Sequence, residues 1–464
     1  MVIFGKYNSV FFVAIYLAIL NTVYSPYSIW LSVFFIFFVY SLLIFRSAKL
    51  IILFPFFLYP FMFLIRAQAP ENMVLVIMPE IFVIFAILVH LLKCGLNNKH
   101  ILLLGSFAYI TVLILMFHVN DFRFFPVILR QYVLPIIFMI VFIEASAKAS
   151  GLAIEALKIT VISFAIVGML SLLNIFNIVE VKDSIDALYP YLNYLPDVVD
   201  SERSVGGRGL SGGILIPRLN LFTGGALGSS AAIFFALGLI PFLLPKNEIH
   251  WTFKLTSIFL IVPSLMTFSS SIVISFSIFL FVIFGLKKGG TFLKIGVLFL
   301  ILFSIFILMS TELFIDKSLF AYFSDSLLAG MLAYMQKIDA VTFLIGSGPR
   351  LTSAGYEFMP SVFVTDAGIL RVFIETGFFN FILFLVFLII VFRRGILVFR
   401  SHPSYDGRLF FMMFIIFICL VHANMTTLPP FFPLFSAIVG GIFSIYYNVN
   451  QKIQFSAARI PTRS

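Results

Sequence analysis

Charged side chains are scarce in this chain: Asp, Glu, Lys and Arg together make up 11% of its 464 residues. Hydrophobic residues make up 62%, Phe alone occurs 62 times, and the mean hydropathy is +1.14. No water-soluble domain can bury that much apolar surface. The composition therefore predicts an all-α, polytopic integral membrane protein that forms a single transmembrane domain over residues 1–464.

Patterns for metals and disulfides are also missing. The two cysteines, Cys94 and Cys419, lie at or inside apolar runs, so we expect no structural disulfide. The six histidines have no metal-ligand spacing, and HExxH, CxxC and DxD motifs do not occur. We therefore expect no metal and no cofactor. The net charge of +10 does not indicate nucleic-acid binding, because the basic residues cluster at the ends of apolar runs, where they orient membrane spans.

Apolar runs near the length of a membrane span predict about 12–14 transmembrane helices. The approximate segments are 9–24, 28–45, 49–65, 74–93, 101–117, 132–147, 157–179, 224–244, 253–268, 271–286, 292–310, 367–392, 409–424 and 431–449. The first run resembles a signal peptide, but a second apolar run follows at once, so we expect an uncleaved first span.

Basic clusters fix the expected orientation, because two predicted spans separate each cluster from the next. The clusters lie at Arg46 and Lys49, Lys93 and Lys99, Lys148 and Lys158, Lys246 and Lys254, Lys287 to Lys294, Arg393 to Arg408, and Lys452 to Arg463. All of them then face the cytoplasm, as do both termini. The two long hydrophilic segments, approximately 180–223 and 312–366, then face the opposite side.

The expected outer face is rich in arginine rather than lysine. Arginine binds phosphate through two parallel hydrogen bonds and keeps its charge, so this bias suggests a phosphate-bearing ligand. Arginines that only reach the lipid headgroups are the alternative. The stretch "GSGPR", 346–350, could also form a backbone nest for an anion. The candidate binding residues are Arg130, Arg218, Arg350 and Arg371.

The stretch "VTDAGILRVFIETG", 364–377, brings Asp366, Arg371 and Glu375 to the start of a predicted span. Charged residues inside a span are costly and usually mark a functional cavity. Asp366 could instead cap the helix, because a carboxylate suits the free N–H groups there. His422 ends another span on the same side and could line the same cavity or simply lie at the interface.

Together these motifs resemble the O-antigen polymerase and O-antigen ligase superfamily of bacterial inner-membrane proteins. The resemblance rests on "RQYVLPIIF", then "PRLNLFTGG" after a long Arg- and Gly-containing loop, the short hairpin "TFSSSIVISF", "IGSGP" in a second long loop, and "TDAGILRVFIETGFFN". The ligase branch carries a His-Asn pair nine residues before the Glu of its ExG motif. Asp366 stands in that His position, nine residues before Glu375, which favours the polymerase branch.

The resemblance implies a metal-independent glycosyltransferase of the membrane-embedded GT-C type in the inner membrane, with its active site facing the periplasm. Such an enzyme joins undecaprenyl-diphosphate-linked oligosaccharide repeats without a sugar nucleotide. Its partners would be the lipid-linked donor and acceptor, membrane lipid and a chain-length regulator protein. Asp366, Glu375 and His422 are then the candidate catalytic residues, and the four arginines would bind the diphosphate. An O-antigen ligase and a lipid-linked oligosaccharide flippase or transporter are the alternatives.

Overall fold

The computed structural model describes about half of the chain, mostly as helices. The described residues are 16–17, 36–38, 40, 48–62, 73–95, 98–118, 129–149, 151–175, 208–210, 214–216, 227–243, 251–266, 338–346, 368–401, 405–419 and 432–457. In chain order we label the helices α1 (Ala48–Leu58), α2 (Met73–Cys94), α3 (Asn98–His118), α4 (Leu134–Lys148), α5 (Leu152–Ile175), α6 (Leu227–Leu243), α7 (Trp251–Met266), α8 (Ala340–Ile345), α9 (Gly368–Ser401), α10 (Tyr405–Cys419) and α11 (Phe432–Ala457). A 3-10 turn (Tyr59–Phe61) follows α1, and a π-helical turn (Leu129–Val133) precedes α4.

Ten of the fourteen predicted apolar segments coincide with one of these helices. Three helical stretches in the described part are long and apolar enough to cross a membrane: Ile77–Cys94, Leu152–Leu173 and Val372–Phe399. Six shorter apolar helices accompany them. The helical class and membrane character are therefore confirmed in coarse form. The total of 12–14 spans stays a prediction, because segments 9–24 and 28–45 are described only in part and segments 271–286 and 292–310 lie outside the described residues.

A small β-hairpin lies beside the helices and was not predicted. Strands β1 (Arg208–Leu210) and β2 (Ile214–Ile216) pair antiparallel, with Gly209 opposite Leu215. Both lie inside the predicted long loop 180–223. The prediction missed them because three-residue strands are too short for hydrophobic alternation to stand out, although the Ser-Gly-Gly between them is typical of a hairpin turn.

Helix α11 packs closely against α4 because a glycine removes the side chain at the crossing. A Cβ added to Gly440 would lie 2.7 Å from the ring of Phe142. One turn further along α11, the Ser444 hydroxyl donates a 2.7 Å hydrogen bond to the carbonyl oxygen of Ser146. The two helices therefore run side by side in the same direction, with the C-terminal end of α4 at the level of Ser444 in α11.

Basic side chains from several predicted clusters gather at one end of the bundle. The Lys148 ammonium at the end of α4 donates a 2.8 Å hydrogen bond to the carbonyl oxygen of Cys94 at the end of α2. Near the start of the next helix, Glu155 of α5 forms a 2.8 Å ion pair with Lys49 at the start of α1. We call this end, with Lys49, Lys93 and Lys148, the basic end.

Helix α9 brings a further cation to the same end. The guanidinium carbon of Arg394 lies 4.2 Å from the centre of the Phe443 ring and 5.0 Å from that of Tyr446. Both rings flank Ser444, which bonds Ser146 two residues before Lys148. The contacts thus put residues from four predicted cytoplasmic clusters at one level, as the predicted orientation requires. The side of the membrane on which this level lies stays a prediction.

Candidate functional site

Helix α9 is broken at Gly377, near its N-terminal end. Gly377 has φ 80° and ψ 176°, a conformation that is not helical and that glycine alone adopts readily. The break separates a short entry piece, 368–376, from the long apolar piece that follows. Glu375 and Thr376 end the entry piece, with exposed fractions of 0% and 1%. A carboxyl group is therefore fully buried at the point where the helix changes course.

The break is in contact with the "IGSGP" motif. Gly346 ends α8 with φ 86° and ψ 171°, almost the same conformation as Gly377. A Cβ on Gly346 would lie 2.4 Å from the carbonyl oxygen of Glu375, and a Cβ on Gly377 would lie 2.4 Å from the amide nitrogen of Gly346. The two backbones cross so closely that neither position has room for a side chain. The structure thus joins the two motifs that the sequence only placed on the same side.

Helix α8 holds both halves of the broken helix. The Phe343 ring stacks on Phe378, with centroids 5.3 Å apart, and meets Phe373 edge-on at 5.6 Å. Asp339 caps α8 by accepting a 2.9 Å hydrogen bond from the backbone N–H of Thr342. Hydrogen bonds from the hydroxyl and backbone N–H of Thr342 hold the pKa of Asp339 below its usual value. Residues before and after Gly377 are therefore fixed by the same short helix.

A cavity of about 40 Å³ lies beside the break. It is lined by residues of α3, the π-turn with α4, α9 and α11: Phe107, Tyr132, Pro135, Ile136, Met139, Val372, Thr376, Phe384, Phe387, Phe435 and Ser436. The two aliphatic hydroxyls in this wall bond their own helices, Thr376 to the Val372 carbonyl (2.6 Å) and Ser436 to that of Phe432 (2.8 Å). The wall is therefore mainly apolar.

The cavity lies at the end opposite the basic end. Tyr132 directly precedes α4, which ends at Lys148, and Ser436 lies near the start of α11, two turns before Ser444. The π-turn that carries Tyr132 is a rare conformation that often occurs at functional sites. In the predicted orientation, the cavity faces the outer side of the membrane.

Three of the seven predicted site residues lie in described helices or turns, and four do not. Glu375 lies in the site and is buried. The backbone of Arg130 lies in the π-turn two residues before Tyr132, and that of Arg371 precedes Val372, so two predicted arginines adjoin cavity-lining residues. Their side chains are outside the described part. The other predicted site residues, Arg218, Arg350, Asp366 and His422, lie outside the described residues.

Two polar residues near the cavity were missed by the sequence reasoning. Asn380 of α9 and Thr111 of α3 are buried, with exposed fractions of 0% and 1%. Each interrupts an apolar run, and this was the available signal. Within the described residues, no group of three or more His, Cys, Asp or Glu could hold a metal ion.

Comparison with family models, curated proteins and solved structures finds no match for this chain.

Proposed function

We propose that this protein is a surface-polysaccharide polymerase of the O-antigen polymerase type. The observation that supports the proposal best is the crossing of Gly346 and Gly377, since it unites the "IGSGP" and "ETG" segments beside a buried carboxyl group. Both segments are among the features that carry the resemblance, and the second is its most specific part. If the break in α9 served only to bend the helix, Gly377 alone would be enough, and Gly346 would not need to leave room for it.

The proposed reaction is a glycosyl transfer between two lipid-linked saccharides. The bond between the anomeric carbon of the donor and its diphosphate oxygen breaks, and the anomeric carbon bonds a hydroxyl oxygen of the acceptor repeat. The lipid diphosphate leaves with the bonding electron pair, and the hydroxyl proton passes to a nearby base. Because no net oxidation occurs, the reaction requires no redox partner.

Arginines would offset the charge that develops on the leaving diphosphate, a role that depends on cations already in place. Arg130 and Arg371 are the first candidates for it, because the backbone of each lies at the level of the cavity. Arg218 and Arg350 are the further candidates from the sequence. The metal that other glycosyltransferases use for this charge would then not be needed.

The proton acceptor is proposed among the acidic residues of "VTDAGILRVFIETG". Asp366 remains the first choice from the sequence and Glu375 the second, with His422 of another predicted span as a further candidate outside this stretch. The burial of Glu375 supports a second role, in which its carboxyl orients the acceptor hydroxyl in a site that excludes water. The cavity is too small for a whole lipid-linked oligosaccharide, so only the reacting groups would enter it while the lipid stays in the bilayer.

The test is the surface-polysaccharide profile of a strain that lacks the protein and is complemented with variants. Loss of the protein should leave single repeats on the surface, and the wild-type gene should restore the long-chain ladder. Glu375→Gln and Asp366→Asn should each shorten or abolish the ladder. The matched control is Glu155→Gln, which changes a carboxylate at the basic end and should leave the ladder intact.

Two outcomes would overturn the proposal. A deletion strain with no surface repeat at all would indicate a flippase. A strain that makes polymer but does not attach it to lipid A-core would indicate a ligase. If Glu375→Gln and Asp366→Asn are expressed at normal levels and both give the full ladder, the carboxyl groups have no part in the reaction.

A further inference from the structure

Three aromatic rings of α11 hold the guanidinium group of Arg394 at the basic end. The guanidinium carbon lies 4.2 Å from the centre of the Phe443 ring, 5.0 Å from that of Tyr446 and 5.9 Å from that of Tyr447. An aromatic face attracts a cation, but the N–H donors at the edge of a guanidinium need oxygen acceptors. The rings therefore fix the position of the group and leave its hydrogen-bonding edge for another partner.

The protein supplies no such acceptor within the described residues. Arg394 forms no ion pair and no hydrogen bond there, and its Nη1 atom is buried without an acceptor. Other cations of the basic end do have protein partners, since Lys49 pairs with Glu155 and Lys148 bonds the carbonyl oxygen of Cys94. The Arg394 side chain is only partly buried, so it keeps a surface on which a ligand can bind. A partly desolvated cation without a counter-charge is unfavourable, and an external anion would relieve that cost.

Arg394 also lies at the depth expected for lipid headgroups. It is 17 residues beyond Gly377, roughly 26 Å along a helix that has no further break. The hydrocarbon core of a bilayer is about 30 Å thick, and α9 is long and apolar enough to cross it. Leu397, one turn beyond Arg394, is 43% exposed, so an apolar surface adjoins the cation. Since Gly377 lies at the opposite end of the bundle, Arg394 lies close to the headgroups of the leaflet at the basic end.

A phosphate group fits these donors. Its oxygens accept two parallel hydrogen bonds from the edge of a guanidinium, which keeps its charge at any physiological pH. Tyr446 is partly exposed and adds a hydroxyl donor on a ring that packs against the same guanidinium. The lysines of the basic end make the surroundings positive, which favours lipids of net negative charge. Free phosphate has the same oxygens, but the adjoining apolar surface suits the chains of a lipid.

We propose that Arg394 binds the phosphate group of an anionic phospholipid in the leaflet at the basic end, with Tyr446 as a second donor. The lipid chains would lie along the exposed apolar side of α9. The bound headgroup would thus contact α9 and α11 together and stabilise their packing. This inference does not depend on the proposed reaction, because the lipid is not a substrate and binds at the end opposite the cavity.

The experiment uses purified full-length protein in detergent, and the readout is the melting temperature as a ligand is added. The three ligands are phosphatidylglycerol, phosphatidylcholine and inorganic phosphate. The variants are Arg394→Gln, Arg394→Lys and Tyr446→Phe. The matched control is Arg393→Gln, which removes the same charge one residue away from an exposed side chain. Any effect of net charge alone is therefore equal in Arg393→Gln and Arg394→Gln.

Phosphatidylglycerol should raise the melting temperature of the wild type, because a ligand that binds only the folded state stabilises it. The concentration that gives half of this shift should rise about 10-fold in Arg394→Gln and about 3-fold in Tyr446→Phe, since a charged hydrogen bond is lost in the first and a neutral one in the second. Arg394→Lys keeps the charge but loses the planar fork, so it should lie between the wild type and Arg394→Gln. Arg393→Gln should change the concentration by less than about 2-fold.

Three outcomes would overturn the proposal. Equal weakening in Arg393→Gln and Arg394→Gln would mean that the lipid is attracted by diffuse charge and has no site at Arg394. An equal shift with inorganic phosphate would identify free phosphate as the ligand, and an equal shift with phosphatidylcholine would remove the preference for anionic lipid. If Arg394→Gln does not fold, Arg394→Lys and Tyr446→Phe decide, and an unchanged response to phosphatidylglycerol in both would refute the site.

Discussion

Replacing either crossing glycine by alanine tests the contact that unites the candidate site. Gly346 and Gly377 both have positive φ with ψ near 180°, where a residue with a side chain costs about 1–3 kcal/mol. The added Cβ would also lie 2.4 Å from backbone atoms of the other segment, which cannot rotate away as a side chain can. Overpacking adds about 1–3 kcal/mol. We therefore expect Gly346→Ala and Gly377→Ala each to lower the free energy of unfolding by about 2–6 kcal/mol.

Gly151 provides a matched control for the backbone strain. Its φ is 87°, close to that of Gly346, but nothing lies within 4 Å of an added Cβ. Gly151→Ala should therefore be destabilised only by the strain of a positive φ, which lowers the free energy of unfolding by about 1–2 kcal/mol. Because the two φ values agree, a much larger loss for Gly346→Ala than for Gly151→Ala reports the steric part. Melting of the detergent-solubilised protein gives the ranking, and the polysaccharide ladder reports the effect on function.

A double-mutant comparison sharpens the test. Gly346→Ala and Gly377→Ala disrupt the same crossing, so their combination should cost clearly less than the sum of the two. Gly346→Ala and Gly151→Ala are far apart and should add. If Gly346→Ala is no worse than Gly151→Ala, or if the Gly346 and Gly377 variants add fully, the backbones do not cross and the site as described is wrong.

Three further predictions concern the elements around the site. Phe343→Ala removes two ring contacts worth about 0.5–1.5 kcal/mol each, so it should lower the melting temperature and shorten the polymer. A melting temperature equal to that of the wild type would contradict the packing of α8 on α9. Glu155→Lys should destabilise slightly and Lys49→Glu in the same chain should restore stability, with a coupling of about 0.2–1 kcal/mol that fades in high salt. The exposed thiol of Cys94 should react with a membrane-impermeant maleimide only in inside-out vesicles. The thiol of a Val341→Cys variant, at an exposed position of α8, should react only in spheroplasts. Reaction of both thiols from the same side would overturn the predicted orientation.

Hydropathy located the helices better than it located their ends. The predicted span 157–179 is observed as Leu152–Ile175, which begins earlier because Glu155 is accommodated by its ion pair with Lys49. The span 367–392 likewise extends to Ser401, since Arg394 lies against aromatic rings of α11 instead of ending the helix. A hydropathy window stops at a charged residue, whereas a helix continues wherever that charge finds a partner.

The candidate site could be predicted only in part. A carboxyl group at the head of a long apolar run was visible in the sequence, and Glu375 is indeed buried. The crossing of Gly346 and Gly377 was not visible, because it joins residues 31 positions apart and depends on two backbone conformations that leave no periodic signal. Asn380 and Thr111 were missed for a related reason: each is a single polar residue in an apolar run, and only the packed structure shows that it is buried.

The backbone positions of two arginines agree with the proposed binding of a diphosphate. An anchoring arginine needs only to be near the interface, on any face of its helix. Arg130 and Arg371 instead lie on two different helical elements, each one or two residues from a side chain that lines the same cavity. Lys49, Lys148 and Arg394 are at the opposite end and cannot supply charge there. A diphosphate at this end of the bundle would therefore have to be offset by Arg130, by Arg371 or by cations outside the described residues.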